Sequence, residues 1–275
     1  MKTRHVTYLA LAFVLGTGPS LQADPAARVT EAVNVVDHGS KESATTPATV
    51  GTSVHDGEYL ETGKQSRAEM LLPTASITRL GANTIFNYSV ESNTVDLQAG
   101  TVLFCKPKDA KQLMIKTAAV TAGITGTTGF ISVQTGKNHQ ITYLLGLIEG
   151  HATAWADGHP FPIGAGDILE FKPGSKPFVF AFDVPRFVKT SSFLTKFRGT
   201  LPNQSSIDAE VASYQDDVRR GFIQTPAHAI DYSGDIPVLS TPAYDSARNS
   251  QGQPQGNANP TPTPTRTQPP SNFNR

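Results

Sequence analysis

The sequence predicts an all-β protein: a multi-stranded sandwich, roll or short solenoid-like domain, followed by one C-terminal amphipathic helix and a disordered tail. Three observations predict it. Short runs of β-branched, aliphatic and aromatic residues recur from Val50 to Glu170. Glycines punctuate them, at Gly57, Gly63, Gly81, Gly100, Gly126, Gly136, Gly150, Gly158 and Gly166, where freedom to take positive φ closes a tight turn. No helical periodicity interrupts the series, so consecutive strands account for it.

The strands can be read in order. Val29, Val33 and Val35 mark the first, and the polar residues 37–49 read as a turn region. Then follow 68–72, 77–80, 84–86, 94–97, 101–104, 113–117, 130–133, 141–145, 151–155 and 168–171. Phe178, Phe180 and Phe182 alternate with Val179 and Ala181, so both faces of that strand are apolar. This is the pattern of a strand buried on both sides, and an exposed, partner-binding edge is the sharper alternative.

Residues 186–202 mix Phe187, Phe193, Leu194 and Phe197 with Arg186, Lys189, Lys196 and Arg198. Such a stretch either folds back on the domain with its cations in water or forms an amphipathic surface segment. A helix is expected over about 206–220. Ser205 or Ser206 can cap it, Ile207, Val211, Tyr214 and Val218 form one apolar stripe, and Gly221 can end it. The last residues are rich in Pro, Gln, Asn and Thr and cannot bury enough apolar surface to offset ordering entropy. The expected organisation is a signal peptide over 1–23, a β domain over 24–185, an extension over 186–235 and a disordered tail over 236–275.

The address is read from the first segment. Lys2, Arg4 and His5 precede the apolar run Val6 to Leu15, and Ala23 offers a cleavage site. The run falls short of the roughly 20 residues of a membrane span. A mature protein without a transmembrane span, periplasmic or secreted, is expected.

Charge and chemistry then exclude several classes. Lys plus Arg is 23 and Asp plus Glu is 23, so the chain carries no electrostatic footprint for nucleic acid. The single cysteine, Cys105, cannot form an internal disulfide and reads as a buried strand residue. The run Gly123 to Gly129 lacks the lysine of a phosphate loop and reads as structural glycine turns. No histidine pair has helical metal-ligand spacing, and there is no nucleophile elbow. The expectation is a non-enzymatic protein without metal or cofactor.

The order of the pieces carries a resemblance. Gly57-Glu-Tyr-Leu60-Glu-Thr62-Gly63, Ser66-Arg-Ala-Glu-Met-Leu-Leu72 and Ile77-Thr-Arg-Leu80-Gly-Ala-Asn-Thr84 fall in sequence. Val95-Asp-Leu-Gln-Ala-Gly100, Ile115-Lys-Thr117, Gly123-Ile-Thr-Gly126-Thr127, Phe130-Ile-Ser-Val133 and Leu147-Ile-Glu-Gly150 follow. Over roughly residues 29–170 this series resembles the FecR-type extracytoplasmic domain, here in a stand-alone form. The family's usual Asp-Gly turn is Pro73-Thr-Ala75 in this chain, which implies a hairpin of different shape. The best-known members pass a signal from an outer-membrane receptor to a sigma factor. They carry a cytoplasmic region and a membrane span before this domain. Neither reads in this chain, so that role does not carry over, and the matching residues are scaffold residues rather than a binding site.

The function expected is therefore an extracytoplasmic interaction or sensing module that binds a protein partner or cell-envelope component. The alternative is a secreted carbohydrate- or small-ligand-binding protein, with the Trp155–His159 hairpin lining a groove. Trp155, His159, Phe178, Phe180 and Phe182 are the residues expected to meet a partner or ligand.

Overall fold

The structure is a computed structural model that describes residues 26–136 and 138–222, together with the backbone of the pair Ile230–Asp231 and Val238–Leu239. The expected signal peptide and nearly all of the expected tail lie outside the described residues.

The chain forms one 17-stranded sheet folded on itself into two facing layers. Strands are numbered in chain order. The first layer runs Ser53–Val54 (β4), Ala27–Val33 (β1), Arg67–Leu71 (β6), Ile77–Leu80 (β7), Thr94–Lys106 (β9), Thr127–Thr135 (β12), Ile141–Glu149 (β13), Asp167–Phe171 (β16) and Phe178–Ala181 (β17). The second runs Thr46–Pro47 (β3), Val36–Ser40 (β2), Glu58–Thr62 (β5), Ile85–Ser89 (β8), again β9, Leu113–Lys116 (β10), Val120–Ile124 (β11), His151–Ala156 (β14) and His159–Gly164 (β15). After the first strands the chain mostly lays two strands in one layer and then two in the other, which is the all-β weave that regular short strands and glycine turns predict.

The thirteen-residue β9 joins the layers, where two separate strands were expected from the sequence. Its first part pairs with β8 and β10 in the second layer, and its last part pairs with β7 and β12 in the first. The crossing falls at Gly100, whose φ is +85°, beside a register shift against β8. A Cβ there would drive into the backbone of Asn83 and Thr84, so both the conformation and the space require glycine.

Two apolar cores result. Between the layers lie Val29, Leu60, Met70, Phe86, Val95, Val102, Ile115, Ile131, Leu145 and Leu169. On the outer side of the first layer a second core gathers Leu103, Phe130, Leu144, Ile148, Ile168 and Phe182 under three helices, Val184–Thr190 (α1), Ser192–Thr195 (α2) and Gln204–Arg219 (α3). β12 and β13 are thus apolar on both faces, one core above and one below. The Phe130 ring occupies the space over its register partner Gly146, and a Cβ at Gly146 would overlap that ring.

The helices exceed the single one expected. Residues 186–202 fold back on the domain as two short helices and a loop, burying Phe187 and Phe193. Proline at the start of α1 and the Asp183 and Ser191 caps define these short turns, and neither has a long stripe for periodicity to reveal. α3 begins at Gln204, slightly earlier than expected, with Asn203 rather than Ser205 or Ser206 at its cap. Its stripe is as read: Ile207 and Tyr214 are buried, with Val211 and Val218 packed beside them. Pro73-Thr-Ala75 closes the β6–β7 hairpin with Ala75 at φ +59°.

Candidate functional site

Among the described residues, the four ends of the layers are β3, β4, β15 and β17, each paired on one side only. An edge strand exposes unpaired N–H and C=O groups, and proteins normally guard such edges. β3 and β4 are two residues long, and β3 contains Pro47. β15 carries Pro160 and Pro162, which remove two donors. β17 reads Phe-Val-Phe-Ala, with neither proline nor charge.

The geometry of β17 shows which groups it offers. The Phe182 N–H donates to Gly166 O at 2.9 Å, and the ladder pairs Ile168 with Phe180. Alternation along a strand then aims the Phe178 and Phe180 N–H groups at β16 and those of Val179 and Ala181 at the free side. The Phe178 and Phe180 rings stack at 5.9 Å and are half-buried, Phe180 against the second core. Beneath Phe178, its register partner Glu170 is paired with Lys172 at 2.9 Å. The pattern read as burial on both sides is therefore an edge strand. Its apolarity arises because Val179 packs toward the inner core while Phe180 packs against the core under the helices.

Phe182 does not belong to this surface. It is fully buried, with its ring 5.9 Å from Phe130 and 5.6 Å from Phe187 in edge-on contacts. The expectation that it meets a partner is corrected: the chain turns into α1 there, and Phe182 anchors that turn. Trp155 and His159 lie elsewhere, on the β14–β15 hairpin, where Trp155 faces outward from the second layer and His159 pairs with the inward-facing Ala156. Trp155 is 44% exposed and stands opposite Pro160, while His159 Nδ1 lies 2.7 Å from Asp157 O in the hairpin turn. Two open clefts, of about 390 and 320 Å³, lie beside α1 and α3 and beside α2. Neither is lined by Trp155 or His159.

Two buried polar clusters that sequence reasoning missed hold the helices on the first layer. In one, Arg79 of β7 donates its Nε to Glu69 at 2.8 Å, its Nη1 to Phe193 O at 2.6 Å and its Nη2 to Gly199 O at 2.5 Å. Its guanidinium lies 4.7 Å from the centre of the Phe197 ring. Glu31 receives the Arg198 N–H at 3.0 Å. In the other, Glu149 accepts from Thr128 at 2.9 Å and from Asn203 at 2.7 Å, and Asn203 also donates to Lys106 O at 2.9 Å. Burial pushes the Glu149 carboxyl above the usual carboxylate range, against the opposing pull of those hydrogen bonds. Cys105, beside Thr128, is buried, and burial pushes its thiol up. The sequence signal was faint: charged residues on strands of the covered layer, with no local motif.

Among the described residues, no group of three or more His, Cys, Asp and Glu side chains is placed to hold a metal ion. Gly126 takes φ +70° in the turn between β11 and β12, and a Cβ at Gly129 would collide with Gly146 O. Among the described residues, no helix is long and apolar enough to cross a membrane.

Residues 58–151 match the family model described as FecR protein, so that stretch is similar to a FecR-type domain. This is a class of regulatory and sensing module, rather than catalytic, that is usually extracytoplasmic. The match runs from β5 to the start of β14 and is shorter than the 29–170 over which the resemblance was read. No curated protein matches the chain. Two solved structures from Parabacteroides distasonis ATCC 8503, each provisionally described as an anti-sigma factor, are similar in part. One has 12% identity and a TM-score of 0.43, covering 70% of this chain and 90% of its own. The other has 10% identity and a TM-score of 0.41, covering 58% and 91%.

Proposed function

We propose that this protein is a non-catalytic extracytoplasmic interaction module whose protein partner adds an extended segment to the free edge of β17. The observation that carries the reading is the contrast among the four edges: three are short or proline-guarded, and β17 is apolar and unguarded. Strand addition would draw affinity from the Val179 and Ala181 backbone groups and selectivity from contacts with the half-buried Phe178 and Phe180 rings. The FecR-type domain supports a sensing or regulatory setting, and the signal peptide read over residues 1–23 supports an envelope location.

The test is a photo-crosslinking amino acid at Phe178 in the full chain, in its native envelope, with and without Ala181→Pro. Proline at 181 removes a free-side N–H and leaves the ladder to β16 intact, so folding should persist, checked by thermal melting. The expected result is a discrete adduct that Ala181→Pro abolishes at unchanged melting temperature. No adduct, or one indifferent to the proline, overturns the reading.

A further inference from the structure

The two outer faces of the sandwich are treated differently. The first layer is roofed by helices over an apolar core. The outer face of the second layer carries half-buried to exposed side chains. Ladder register places six of them in one row that crosses six strands: Trp155 on β14, Thr121 on β11, Lys116 on β10, Asp96 on β9, Asn87 on β8 and Tyr59 on β5.

From this row we infer a binding platform for an unbranched, uncharged polysaccharide chain lying across the strands. Four properties converge on that occupant. First, the row offers unused hydrogen-bonding capacity: among the described residues, the side chains of Thr121, Lys116, Asp96 and Asn87 and the Trp155 indole make no hydrogen bond or ion pair. They mix donors and acceptors, as a polyhydroxylated ligand requires. Second, the single cation and single anion of the row are register partners, so the row itself carries no net charge. Third, the face is held smooth. The Tyr59 ring lies over its register partner Gly39, where a Cβ would sit 3.0 Å from the hydroxyl, which is fixed by Thr45 at 2.6 Å. The Gln112 amide likewise lies over Gly123, where a Cβ would sit 2.9 Å from its nitrogen. Trp155, half-exposed beside Pro160, supplies a ring face of pyranose size at one end.

The fourth property is spacing. Neighbouring strands lie about 4.8 Å apart, close to the rise of one pyranose in an extended chain, so the five steps from Trp155 to Tyr59 span about 24 Å. That is room for roughly five sugar units, one per inter-strand step, with an aromatic ring near each end. An apolar protein interface fits poorly, because the row contains no aliphatic side chain to form a dry centre.

Trp155 is the only tryptophan in the chain, so its fluorescence reports on this platform alone. The full chain is titrated with chitohexaose, cellohexaose, their disaccharides and an acidic hexauronate. The expected result is a saturable blue shift with one or both neutral hexamers, at least tenfold weaker binding of the disaccharide, and no response to the hexauronate. By calorimetry, Trp155→Ala lowers affinity at least tenfold and Asn87→Ala several-fold at unchanged melting temperature, while Phe178→Lys leaves it intact. That last variant separates the platform from the β17 edge, so either can fail alone. No binding of either neutral hexamer at millimolar concentration, binding of the uronate alone, or binding indifferent to Trp155→Ala overturns the inference.

Discussion

Asn203 stands at the amino-terminal end of α3, yet its side-chain amide donates to Glu149 of β13 at 2.7 Å and makes no capping bond to its own helix. A residue type that normally satisfies the first turn of a helix is here used to tie that helix to the sheet. The carboxylate it meets is only 3% exposed.

That burial has a pH consequence. The folded carboxyl of Glu149 holds its proton more tightly than the unfolded one, because burial raises its pKa. The native state therefore binds more protons than the unfolded state between the ordinary glutamate pKa and the raised one. This contribution to stability is greatest below the ordinary pKa, declines as pH rises through that window, and is flat above it. Asp167, whose carboxyl burial also pushes up, acts with the same sign. Glu149→Gln should therefore become progressively more stable relative to the parent as pH rises from 4 to above the raised pKa. Paired denaturation curves across that range measure it. A parent-to-variant difference that does not change with pH would refute it.

Arg79 is a second tether, and a costlier one to lose. It is 1% exposed, and it satisfies Glu69, a carbonyl of α2 and a carbonyl of the loop that follows α2. Arg79→Ala leaves Glu69 buried without its cation, and such losses cost about 3–5 kcal/mol. The expected signature is early hydrogen exchange in residues 184–200 together with a lowered denaturation midpoint. Unchanged exchange there would show that the apolar core alone holds the helices.

Gly146 tests the packing between β12 and β13. An added Cβ would overlap the Phe130 ring, which is held by Phe182 and Phe187 and has no room to swing away. Gly146→Ala should destabilise by roughly 1–3 kcal/mol, the usual range for overpacking. Gly146→Ala combined with Phe130→Leu should recover part of that loss, as measured by chemical denaturation.

Cys105 should be chemically silent in the native protein. It is fully buried and its thiol is pushed up by burial, so little thiolate forms and no reagent reaches it. Labelling by a maleimide should track global unfolding in urea. Fast labelling without denaturant would place Cys105 in a locally opening segment.

Much of the strand order was legible in the sequence because period-two alternation and turn glycines are local signals. Ala152, Ala154 and Ala156 declare a buried face by themselves, whereas β11 was not among the expected strands and β2 and β3 fall largely within the polar residues 37–49 read as a turn region. β17 was legible as a strand but not as an edge, since Phe178–Ala181 is apolar on both faces whether a neighbour or open space lies beside it. Helices α1 and α2 were missed as helices because each is too short to show a period. The polar tethers were missed because Arg79 and Gly199 are far apart in the chain and share no motif.

Sequence alone determined the all-β class, the stripe of α3, the structural role of the glycine turns and the resemblance to a FecR-type domain. These depend on backbone preference and on the alternation of neighbouring residues, which a linear chain displays directly. Only the tertiary structure decided which sheet face the helices cover, that Phe182 belongs to the core while Phe178 and Phe180 line an edge, and that Trp155 and Tyr59 share a row. Such relations are set by which distant strands pair and in what register, and register is fixed by the burial of the whole core at once.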